Sequence, residues 1–177
     1  MSFYIDNDEL SYKMGEDVML HINPVPEKYN KIWNTPDGCF YKPDDFKDAE
    51  NIPDITIWAY YLILNEKAYN KLYKVLEPQG EFLSVNCEGY SYYIYNPLVI
   101  ADEMNAVNTE KTSKNVVDGV YLGLNSIEFK EEKLTGILLF KTAYDFNPIF
   151  CTEKFKDIVK QNNLDGLLFK ENLEGIV

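Results

Sequence analysis

IFCTEKFKDIVKQNNLDGLLFKE, residues 149–171, is the stretch whose reading decides the fold. Ile149, Phe150 and Cys151 make a short run of strand character. Thr152 then stands where a helix N-cap belongs, and Glu153 falls in the first turn, where a carboxylate meets the positive end of the helix dipole. Phe155, Ile158 and Val159 share one helical face, which predicts an amphipathic helix over about residues 153–161. Asn162, Asn163 and Gly166 end it and turn the chain into a final strand, 167–169.

Upstream, ITIWAYYLIL (residues 55–64) is β-branched and aromatic on both faces and reads as one strand buried on both sides. Asn65 is a plausible N-cap, and Tyr69, Leu72, Tyr73 and Leu76 follow at helical spacing, so a second helix is expected over about 66–76, stopped by Pro78 and Gly80. EFLSVN (81–86) and YSYYIY (90–95) flank Cys87-Glu88-Gly89 and predict a hairpin. LVIADEMNAV (98–107) reads as a short strand or a turn of helix, and TEKTSKN (109–115) as a polar, mobile loop. Residues 126–142 read as a second hairpin around Glu131-Glu132-Lys133. Residues 1–54 are broken by Pro24, Pro26, Pro36, Gly38, Pro43 and Pro53 into loops and short strands. Two helices among many strands, without regular alternation, give an α+β fold of mainly antiparallel hairpins. With 177 residues and 46% hydrophobic content the chain is expected to form a single globular domain over 1–177, with an acidic, proline-rich portion at 1–54.

Charge narrows the function. The chain has 29 carboxylates against 17 lysines, a single histidine, His21, and no arginine, for a net charge of −12. Such a surface repels phosphates, so direct nucleic-acid binding is not expected; it attracts basic proteins and speeds their encounter. Solubility or AT-rich codon usage accounts for the same imbalance without any partner. Residues 1–54 hold twelve of the carboxylates against five lysines. The densest run is Asp44, Asp45, Asp48, Glu50 and Asp54 in a proline-bounded loop, either a solvated loop or a contact surface for a basic partner. The tyrosines of 90–95 admit a similar pair of readings, strand packing or interface.

Little catalytic machinery remains. No GxSxG elbow or phosphate-binding loop is present, and DGVYLGLN (118–125) has turn glycines only. His21 lies in a proline-flanked segment, and a pairing with Cys39 or Cys151 through the fold stays open. Asp44 with Asp45, or Asp102 with Glu103, are nominal carboxylate pairs for glycoside hydrolysis, but adjacent acids arise by chance among so many. Cys39, Cys87 and Cys151 form no metal-binding or disulfide pattern, and residues 43–54 do not match a calcium loop, so no metal or cofactor is expected. The N-terminus lacks the features of a signal peptide, and the longest apolar run, 57–64, is far too short to span a membrane; a cytoplasmic location is expected.

Three segments, in this order, resemble the bacterial immunity protein eleven family: Trp33 with PDGCFYKP (36–43), LILNEKAYNKLYKVLEPQGEFLSVN (62–86) and residues 149–171. The family's closing pattern is matched by Ile149-Phe150, by Thr152 to Lys156 and by Leu164 to Phe169, and the likeness runs from about 33 to 170. The tyrosine-rich middle and the stretch from Asp102 to Ser113 depart from it. The resemblance implies a non-enzymatic antitoxin that binds the toxic domain of a polymorphic toxin, with no catalytic residues carried over. The partner expected from charge is a basic toxin domain such as a nuclease, its active site occluded, with Asp44, Asp45, Asp48, Glu50 and Asp54 matching basic groups and Trp33 and Tyr41 as aromatic anchors. An adaptor unrelated to toxins is the alternative, a carboxylate hydrolase a third; homo-oligomerisation stays open.

Overall fold

A computed structural model describes residues 2–7, 13–14, 24–31, 33–38, 40–41, 52–171 and 173. In chain order these form β1 (Ser2–Asn7), β2 (Lys13–Met14), β3 (Asp37–Gly38), β4 (Phe40–Tyr41), β5 (Ile55–Trp58), β6 (Tyr61–Leu64), α1 (Glu66–Leu76), β7 (Gly80–Cys87), β8 (Tyr90–Pro97), β9 (Ser113–Val117), β10 (Val120–Ser126), β11 (Leu139–Thr142), β12 (Asp145–Thr152), α2 (Glu153–Gln161) and β13 (Leu167–Lys170). A five-stranded sheet runs β3-β7-β8-β6-β5 and a four-stranded sheet β11-β12-β1-β13, with two small ribbons, β9–β10 and β2–β4. Among the described strands every pairing is antiparallel except β3 with β7, and the fold is α+β.

The helices form where capping and periodicity place them. The Asn65 side chain accepts from Ala68 N at 2.9 Å and caps α1. Ala68, Leu72 and Leu76 are buried one above the other, whereas Tyr73 of the expected face stays exposed. Tyr69 lies at the margin, stacked on Tyr93 of β8 with ring centroids 3.7 Å apart. In α2, Phe155 and Val159 are buried. Thr152 occupies the N-cap position, but its hydroxyl donates to Ile137 O at 2.7 Å, tying the helix start to the chain entering β11 instead of capping.

Both helices and one face of each large sheet share a core. Leu62, Leu64 and Tyr95 meet Leu139, Ile149 and Cys151 there, with Leu72 and Phe155 between. The opposite face of the five-stranded sheet, through Tyr61, Ile63, Leu83, Val85 and Ile94, is covered by Tyr29, Trp33 and Phe40. Beyond the four-stranded sheet, Phe140 and Phe150 pack on Phe129, Leu124 and Ile127. Truncating a side chain as enclosed as Leu72 costs about 2–5 kcal/mol.

Four expectations are corrected. Residues 55–64 are not one strand: the chain reverses at Ala59 and Tyr60, with Ala59 at φ 52°, and Trp58 pairs with Tyr61. Burial on both faces hides this reversal from any periodicity. Residues 126–142 are not a hairpin, because Glu131–Leu134 coil into a 3-10 turn and β11 pairs with β12 across a turn at Ala143 and Tyr144. The loop expected over 109–115 runs into an ordered hairpin, with β9 beginning at Ser113 and pairing with β10. The predicted link after EFLSVN is also shorter than expected, a two-residue Glu88-Gly89 turn with both φ positive.

One polar knot joins distant parts of the chain. Asp54 is buried; its carboxylate accepts from Asn65 Nδ2 at 2.8 Å and from Lys67 Nζ at 2.5 Å. Asp54 N donates to Asp165 Oδ1 at 2.7 Å, and Ile55 N to Asp165 O at 3.1 Å. Gly166, at φ +99°, passes so close that a Cβ would collide with Ile55 O and Pro53. Burial raises the Asp54 pKa, but the hydrogen bonds from Lys67 and Asn65, the Lys67 charge and the Asp165 backbone outweigh it and hold the carboxyl below its usual 3.8. A depressed carboxyl contributes stability that is full above pH 3.8 and lost as pH falls through the lower folded value. Asp54→Asn should therefore lower stability at pH 7 by about 1–3 kcal/mol in urea titrations, with the gap to the wild type narrowing below pH 3.8; a gap that stays constant would contradict this account.

Candidate functional site

The residues singled out in the sequence do not gather into one described patch. Asp44, Asp45, Asp48 and Glu50 lie outside the described residues, as do His21 and Cys39. Tyr41 belongs to β4, its backbone paired with Lys13. Asp54 faces inward, as part of the knot between β5, α1 and the turn before β13. Of the nominal hydrolase pair, Asp102 accepts from Ala143 N at 2.7 Å, fixing the β11–β12 turn, while Glu103 is exposed. Cys87 and Cys151 are buried in different clusters.

Trp33 is carried on a strap, residues 24–31 and 33–36, laid along the five-stranded sheet. Its indole is half-buried, with Nε1–H donating to Ser84 O at 2.8 Å. Two buried charges hold this strap. Glu81 of β7 accepts from Tyr29 N at 2.7 Å and Asn30 N at 3.1 Å. Lys141 of β11, fully enclosed, donates to Pro24 O at 3.0 Å with its ammonium 4.8 Å from the centre of the Tyr61 ring. A loop crossing a sheet must satisfy its own backbone groups, and here one carboxylate and one ammonium do so. Burial pulls the Lys141 ammonium down to a pKa of about 7, against a smaller upward pull from Asp145.

The outer surface of the described residues has one concentrated apolar feature. Val116, Val117, Val120, Tyr121 and Leu122 are each 43–58% exposed and make up half of the exposed large hydrophobics among the described residues. All five lie at the free end of the β9–β10 hairpin. The turn is Asp118-Gly119, with φ of 51° and 80°, the pairing of positive φ angles that matches the twist of two strands. Val117 faces Val120 and Val116 faces Tyr121, so the two pairs lie on opposite faces of the ribbon. The base is fixed: Leu124 is buried in the core beyond the four-stranded sheet, Thr112 Oγ1 donates to Asn108 O at 2.8 Å, and Asn108 Nδ2 donates to Glu128 at 3.0 Å. Tyr121 reaches Tyr144 O at 3.2 Å, and Lys114 Nζ lies 5.1 Å from the Tyr144 ring centre. An Asp-Gly dipeptide between valines is the sequence signal that marks this hairpin.

Among the described residues no group of three or more His, Cys, Asp or Glu is arranged to hold a metal ion. Among them, too, no helix is long and apolar enough to cross a membrane. A cleft lined by Asn65, Glu66, Lys67, Tyr90, Ser91 and Tyr92 has a volume of about 190 Å³, below the roughly 300–1,000 Å³ of typical ligand pockets.

Residues 86–173 match the model of an immunity protein family, Imm11. The likeness to the immunity protein eleven family read from the sequence is shown over that segment, which contains the whole β9–β10 hairpin; Trp33, Tyr41 and the acidic run precede it. No curated protein matches the chain.

The strap supplies its own test. Lys141 binds its proton less tightly folded than unfolded, so its contribution to stability rises as pH climbs from about 7 toward 10.5. Measured by chemical denaturation, wild-type stability should gain on Lys141→Met across that range, by up to about 1 kcal/mol per pH unit. A difference independent of pH would show that the amine is not held in a dry site.

Proposed function

We propose that the chain is an antitoxin: a non-enzymatic immunity protein that binds the toxic domain of a cognate bacterial toxin and blocks its active site. The observation that carries this reading is the match of residues 86–173 to an immunity protein family. The inventory of side chains supports it, since blockade requires a complementary surface and no catalytic group, and the chain has one histidine and no arginine.

Charge supports a basic partner. At −12, with the excess concentrated before residue 55, the chain attracts a cationic domain from a distance set by the ionic strength, about 8 Å at physiological salt. A nuclease, whose cleft is built for phosphates, fits that description. Asp44, Asp45, Asp48 and Glu50 would then act chiefly on the rate of encounter. The protein would work in the cytoplasm of the producing cell.

Co-expression is the direct test. The reading expects a toxin gene beside this one; the C-terminal domain of that toxin should kill when expressed alone, and growth should return when this chain is made with it. Continued killing, with both proteins soluble, sinks the proposal.

A further inference from the structure

A protein that neutralises another by contact needs an anchor, a compact apolar element that the partner desolvates. We propose that the tip of the β9–β10 hairpin is that anchor, and that it inserts into an apolar slot with a basic rim on the toxin domain; this rests on the immunity reading above.

Shape, charge and position converge on it. Val117 and Val120 present one face and Val116 and Tyr121 the other, all at least 43% exposed, so a flat partner surface would cover only one pair. A slot covers both. The ribbon is stiffened where it leaves the body, by Leu124 in the core and by the Asn108, Thr112 and Glu128 hydrogen bonds, so little ordering entropy opposes insertion. Lys111 is paired with Glu128 at 2.8 Å, and Lys114, over the Tyr144 ring beside the body, keeps its charge away from the turn. Asp118, in the turn itself, and Glu110, just before β9, have no cationic partner among the described residues. The charge at the apex of the apolar tip, that of Asp118, is thus negative, and a complementary slot carries lysine or arginine where the turn enters it. The hairpin also lies wholly inside the segment that matches the immunity family.

The experiment is a binding titration of the purified chain against the toxic domain encoded beside its gene. Val117→Ser combined with Val120→Ser should weaken affinity by about 30-fold or more while the melting temperature stays at the wild-type value, because both side chains are already half in water. Asp118→Asn keeps a residue suited to the left-handed turn but removes the charge, and should slow association with little effect on dissociation. Hydrogen exchange on the unaltered complex gives a reading free of any mutation: amides 116–122 should gain protection. Wild-type binding with variant affinity within about twofold, or unchanged exchange at 116–122, overturns the anchor and leaves the immunity reading standing. So does a wild-type dimer that the valine changes disperse while toxin affinity holds, since the hairpin would then be a self-interface. A wild-type chain that does not bind the domain overturns both.

Discussion

The buried carboxylate of Asp54 is the constraint on which the arrangement of the two halves depends. It stands where β5 begins, at the foot of α1, and against the turn that leads into β13, and it accepts from groups 11, 13 and 111 residues away in sequence. Closing a loop of more than a hundred residues costs entropy that hydrophobic contact alone repays without fixing register. The Asp54–Asp165 contacts fix it, because each backbone amide and carbonyl at that junction has a single partner position. Gly166 is required there by both its positive φ and the closeness of Ile55 O.

Charge is used elsewhere in the interior in the same manner. Glu81 and Lys141 bind the backbone of the strap from opposite signs, Glu81 taking two amides and Lys141 a carbonyl. Each is expensive to bury and is retained where a peptide group would otherwise lack a partner. The surface shows the reverse: five large apolar side chains are offered to solvent on a ribbon whose base is held by Leu124, with only Tyr121 of the five reaching back to the body through its hydroxyl. Charged groups that organise the fold lie inside, and apolar groups that can be desolvated by a partner lie outside. That inversion separates the residues that hold the structure from those available for binding.

Parts of this were legible in the sequence. Both helices run over the expected residues because a capping-type residue at the N-cap position, an apolar stripe and a stop signal agree at each, and such agreement is local. The reversal at Ala59 was not legible, because neither glycine nor proline marks it and all four residues of β6 are buried. The Asp118-Gly119 turn does carry a signal, but apolar residues exposed on both faces show no alternation, so TEKTSKN dominates as a loop. The acidic and aromatic residues favoured from composition separate by role: Asp54 faces the interior and Trp33 is tied to Ser84 by its indole N–H. Lys141 was invisible for a physical reason, since its acceptor is a backbone carbonyl 117 residues away.

Stoichiometric blockade is the centre of the account, and one titration tests it most directly. Toxin-domain activity is followed at a fixed concentration well above the dissociation constant while the chain is added stepwise. The account predicts a linear fall that reaches zero at one chain per toxin domain and does not deepen with time. Loss of activity that continues at substoichiometric amounts of the chain, or activity that persists at excess, would contradict it.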